Sequence, residues 1–206
     1  MNAGLVLSEV RVFVRAHLWH LLVLAPGLLL ATLLHEAAHA AAVAGQGGQV
    51  EQFAWIPSLQ EWGYVTYRFP RGVDYSEFAI SIAPYLVALG LAGLATLISF
   101  RRRPWSYRVA SAWYIWGFLV PLAEIANATF AWLAGADNDL AQAFGRPTLG
   151  ALIAVGCVVL GCLLWGGSLQ CRLYRERALG LGAYAALSLS TVASIIAVSV
   201  GLARSL

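Results

Sequence analysis

The stretch LLHEAAHAAA, residues 33–42, decides how this chain is read. It sets His35, Glu36 and His39 into an otherwise apolar run that extends from Leu18 to Ala44. The hydrocarbon interior of a bilayer solvates ionisable groups poorly, so such groups are rare in membrane helices and mark function where they occur. His35 and His39 stand at i and i+4, which puts both imidazoles on one helix face about a turn apart. That spacing lets two ring nitrogens reach one zinc ion at about 2.0–2.1 Å. Glu36 lies beside them, placed to move a proton without being a ligand. His-Glu-x-x-His on a helix is the zincin arrangement. The competing reading leaves the histidines as interhelical hydrogen-bonding groups.

Outward from this motif the chain stays apolar. Of its 206 residues, 60% are hydrophobic and 11% are charged, whereas a soluble domain carries about 25% charged residues. Mean hydropathy is +0.73. Phe78–Phe100, Thr148–Cys171 and Ala178–Ala203 contain no charged residue, and Val109–Leu133 contains only Glu124. With Leu18–Ala44 these runs each exceed the roughly 18–20 residues needed to cross a bilayer. Composition therefore predicts an all-α polytopic membrane protein, about five transmembrane helices in a single membrane domain over residues 1–206.

All basic residues are arginines. Arg11, Arg15, Arg101, Arg102, Arg103, Arg108, Arg172, Arg175 and Arg177 fall in alternate loops, and only Arg68, Arg71, Arg146 and Arg204 lie opposite. The positive-inside rule then places the N-terminus in the cytoplasm and the C-terminus outside. Because the arginines sit at helix ends and not on one face, no nucleic-acid partner is expected. Cys157, Cys162 and Cys171 are odd in number and two lie mid-span, which argues against a disulfide framework or a cysteine metal site. A signal-peptide reading ending at Ala38-His39-Ala40 conflicts with the long apolar run and the spans that follow. His17 and His20 read as interfacial residues beside Trp19.

Gly45, Gly47 and Gly48 end the first helix. Beyond them, Val50–Ile56 and Gly63–Phe69 are rich in aromatic and β-branched residues. Tyr64, Thr66 and Arg68 alternate with Val65, Tyr67 and Phe69, and Pro57-Ser58 supply a turn, so a small β-hairpin is predicted. Strand backbone at membrane level must be satisfied by protein or by a wet cavity. The hairpin is expected to roof such a cavity or to form an ordinary extramembrane loop. Helix two, about 75–100, carries Pro84. Helix three, about 105–133, carries Pro121, Glu124 and Asn127. Glu124 and Asn127 share a face at i and i+3, suited to lining a cavity or to positioning a substrate. A catalytic zinc site needs a third protein ligand, and Glu124, Asp137 and Asp139 are the candidates. Two membrane passes separate the ends of helices one and three, so Asp137 and Asp139 match the depth of the histidines. Glu124 lies deeper.

The order of HEAAH in an early membrane helix, a hairpin, a proline-bearing helix and an aspartate after the third helix resembles the site-2 protease family. These are intramembrane zinc metalloproteases. The resemblance spans a core of about residues 18–145 and leaves accessory helices, about 148–203, outside it. It implies Zn2+ held by His35, His39 and an aspartate, with Glu36 as general base. Asp139 is the first choice for the aspartate, because the helical pattern resumes there, and Asp137 is the alternative. The resemblance also implies a membrane-protein substrate cut in or near its transmembrane segment, and a regulatory partner. Asn127 and the strand residues Tyr64, Val65 and Thr66 would contact the unwound substrate, the strand by β-addition. The implied location is a bacterial or archaeal cell membrane, the protein passing several times through the lipid bilayer. The chain departs from the family pattern in two places: no proline follows Asn127 at the third position, and no glycine follows either aspartate. These departures suit a second reading, a catalytically inactive metal-binding membrane scaffold or degenerate homologue. A third, a transporter with His35, Glu36 and His39 as an ion path, needs polar residues through the full membrane thickness, and here they gather mainly in one half.

Overall fold

The computed structural model of the chain describes residues 3–56, 63–101, 109, 112–113, 115–154 and 156–157. The described protein is mostly helical, with a two-stranded antiparallel hairpin after the first helix. Three helices are long and apolar enough to cross a membrane, through Leu21–Gly45, Glu77–Ile98 and Ile115–Leu133. The span expected over residues 178–203 lies outside the described residues, as do most of that over 148–171 and the Pro57-Ser58 turn.

Helix α1, Ala3–Gly45, is 43 residues long and continues through Pro26. It begins well before the expected start at Leu18. The apolar run marks only the part that suits a bilayer, whereas the helix extends further through Arg11 and Arg15, and arginine is a good helix former. Its end is a glycine cap. The Gly48 N–H donates to the Val43 carbonyl at 2.9 Å, and Gly47 takes φ +82°, a backbone region that side chains rarely adopt. A Cβ on Gly48 would lie 2.6–2.8 Å from Val43 and Phe69 side-chain atoms. Only glycine lets the chain fold back this tightly.

Strands β1, Gln49–Ala54, and β2, Tyr64–Arg68, pair antiparallel, with Val50 opposite Tyr67 and Phe53 opposite Val65. A register irregularity lies between Val50 and Gln52. In β2, Tyr64, Thr66 and Arg68 are exposed, and Val65 and Tyr67 are half-buried. This is the alternation that the sequence predicted. Tyr67 donates its hydroxyl to Glu77 at 2.7 Å, which ties the hairpin to the next helix. Burial, then Glu77, pushes the Tyr67 phenol above its ordinary pKa, so it stays a donor.

Helix α2, Glu77–Arg101, starts at Ser76, whose hydroxyl accepts from the Ala79 N–H at 3.2 Å. The Ser76 N–H donates to the Gln46 side chain at 2.6 Å, joining the end of α1 to the start of α2. A π-helical turn, Ile115–Leu119, leads into α3, Val120–Leu133, with Pro121 in its first turn, where a missing N–H costs least. Here the helices approach closely: a Cβ on Gly117 would meet the Ala95 Cβ at 2.5 Å, and one on Gly27 the Trp116 ring at 2.7 Å. Small residues at such crossings are how membrane helices pack without a hydrophobic driving force between them.

After α3, Asn138 caps the short helix α4, Asp139–Phe144, by accepting from the Ala141 N–H at 3.1 Å. The same side chain donates to the Ala128 carbonyl at 2.8 Å, which hangs α4 on α3. Leu140 is buried with Tyr85, Ile125 and Trp132. Leu22, Leu86, Leu97 and Phe130 face outward, while Glu36, His39 and Thr129 are buried.

Candidate metal centre

The centre is assembled from helices α1 to α4. α1 supplies His35 and His39 from one face, and their ring centroids lie 4.9 Å apart. The cap at Asn138 fixes the first turn of α4, which carries Asp139. Helices α2 and α3 supply the groups behind the imidazoles. The His39 Nδ1–H donates to the Ile80 carbonyl of α2 at 2.9 Å. The His35 Nδ1–H donates to Glu124 Oε1 of α3 at 2.5 Å.

Both partners accept, so each imidazole carries its proton on Nδ1 and turns the Nε2 lone pair inward. Those two lone pairs converge with a carboxylate oxygen. His35 Nε2 and His39 Nε2 are 3.2 Å apart, and Asp139 Oδ2 lies 3.1 Å from the first and 3.4 Å from the second. Three acceptor atoms around one point repel one another unless a cation lies between them. The edge of a tetrahedron with bonds of about 2.0–2.1 Å is about 3.3–3.4 Å, close to the observed separations. The donor set and its spacing therefore fit a divalent metal such as zinc. Among the described residues, His35, His39 and Asp139 are the group able to hold an ion. Asp137, two residues earlier, is exposed and not in that group.

A cavity of about 340 Å³ opens beside His35, lined by His35, Glu36, Tyr85, Glu124, Asn127 and Asn138 among others. Glu36 is buried and faces Gly63, just before β2. A Cβ there would lie 2.8 Å from Glu36 Oε1 and from Thr32 Cγ2. The hairpin thus closes over the glutamate through a position where a side chain would displace Glu36 or Thr32. Of the residues expected to touch a substrate, Asn127 lines the cavity. Tyr64, Val65 and Thr66 do not; the chain reaches it at Gly63.

Tyr85, not assigned a role from sequence, approaches Asp139 Oδ2 with its hydroxyl at 3.4 Å and sets its ring edge against His35. Its signal was its place beside Pro84 in SIAPY. No sequence pattern marks the Ile80 carbonyl. No family model, curated protein or solved structure matches this chain.

Proposed function

We propose that this chain is an intramembrane zinc metalloprotease, similar in its site to the site-2 protease family, that hydrolyses peptide bonds in or near the transmembrane segment of another protein. The observation that carries this reading is the convergence of His35 Nε2, His39 Nε2 and Asp139 Oδ2 at 3.1–3.4 Å, beside a cavity that contains Glu36. Zinc held there would supply Lewis-acid polarisation of the scissile carbonyl and of water. Glu36 accepts the proton of the attacking water and passes it to the departing amine nitrogen. Asn127, on the cavity wall, holds the substrate backbone. A helix hides its own peptide bonds, so the substrate enters unwound, and β2, whose strand partner among the described residues is β1, receives it as an added strand on its other side. The full chain crosses the membrane five times with its N-terminus in the cytoplasm, which sets the centre toward the outer side. The lipid bilayer surrounds the spans, and a regulatory partner selects the substrate.

The test is cleavage of a library of single-span peptides in proteoliposomes, with zinc measured in parallel. The wild type cleaves, a chelator stops it and zinc restores it. Glu36→Gln keeps zinc and slows cleavage by about 10²–10⁴-fold. Cleavage by that variant at the wild-type rate contradicts the general-base role. The departures at Asn127 and after both aspartates favour a second reading, an inactive metal-binding scaffold or degenerate homologue. Zinc without cleavage, and without affinity for a hydroxamate, supports that reading instead.

A further inference from the structure

Glu124 is the one charged residue of the run Val109–Leu133. A carboxylate inside a membrane span is costly unless it is paired. Its side chain is only 21% exposed, and its partner is His35 Nδ1 on α1. The two imidazoles are therefore held by unlike groups. His39 leans on a backbone carbonyl that no substitution removes, and His35 leans on a side chain that one substitution can.

We propose that Glu124 is the positioning residue of the metal centre: its hydrogen bond holds His35 with Nε2 aimed at the metal and links metal loading to the contact between α1 and α3. This rests on the reading of His35, His39 and Asp139 as a zinc site. Without the Glu124 acceptor, the His35 proton is free to move to Nε2, which removes the lone pair the metal needs. The carboxylate also makes the imidazole a stronger donor to a cation. Such coupling is reciprocal. If the bond strengthens zinc binding, zinc strengthens the bond, and so the packing of α3 on α1. Membrane helices lack a hydrophobic drive to associate, so a charge-assisted bond between them carries weight.

The experiment uses the full chain in detergent, wild type and the Glu124→Gln and Glu124→Ala variants. Zn2+ affinity is read by competition against a chelator of known affinity, and thermal unfolding is followed with and without the metal. Glu124→Ala weakens zinc by about 10–100-fold and shrinks the zinc-induced rise in unfolding temperature. Glu124→Gln keeps an acceptor but not the charge, so it falls between. It is also nearly isosteric, which covers a failure of the alanine variant to fold. The visible spectrum of bound Co2+ stays tetrahedral in Glu124→Gln, because the three ligands are untouched. Wild-type zinc affinity in both variants, or in Glu124→Gln alone should the alanine variant not fold, overturns the role of Glu124 and leaves the metal site standing. A wild type that binds no zinc overturns both. A wild type that binds zinc but cleaves nothing, with weakened variants, supports Glu124 and removes only the protease.

Discussion

The metal centre and the hairpin are built in opposite ways. Every side chain of the centre comes from a different turn of the chain, with His35 and Asp139 104 residues apart, and each ligand has a partner behind it. The hairpin is local, 49–68, and its ion pair, Arg68 to Glu51 at 3.2 Å, is mostly exposed. One region is fixed before anything binds; the other offers a strand edge and exposed side chains. Under the proposed function, this difference is a division of labour, with rigid placement of the chemistry and an adaptable surface for an extended segment.

Four changes test that contrast, taken from the largest effect to the smallest. His39→Ala removes one lone pair and the link to Ile80, and elemental analysis then finds no zinc and assays find no cleavage. Glu36→Gln separates holding the metal from using it, with zinc retained and turnover lower by about 10²–10⁴-fold. Gly63→Ala strikes where the two regions meet. Its Cβ displaces Glu36, so zinc stays and the cleavage rate falls on the order of 10–100-fold. Arg68→Ala breaks only the exposed pair and changes unfolding stability by less than about 1 kcal/mol. A strong loss of cleavage with Arg68→Ala would mean that the hairpin is as closely determined as the centre.

The same contrast explains what was legible in the sequence. His35, Glu36 and His39 are visible because a helix repeats every three to four residues, and the hairpin because Tyr64 to Phe69 alternate. Both are local periodicities. The partnership of Glu124 with His35 crosses 89 residues. Depth reasoning set Glu124 deeper than the histidines, and the structure brings its carboxylate behind one of them. The approach of Gly63 to Glu36 and the double role of Asn138 are likewise tertiary, since glycine and asparagine in loops have many local uses. The first third of α1 was missed because hydropathy reports where a bilayer would lie and not where a helix ends. Tyr64, Val65 and Thr66 follow the expected alternation but lie outside the cavity lining, because the chain reaches it at Gly63, just before β2.

The most direct measurement is the zinc content of purified wild type beside Asp139→Ala and Asp137→Ala. About one zinc per chain, lost with Asp139→Ala and kept with Asp137→Ala, is the predicted result. A well-folded wild type without zinc, or zinc that survives Asp139→Ala, would contradict the account.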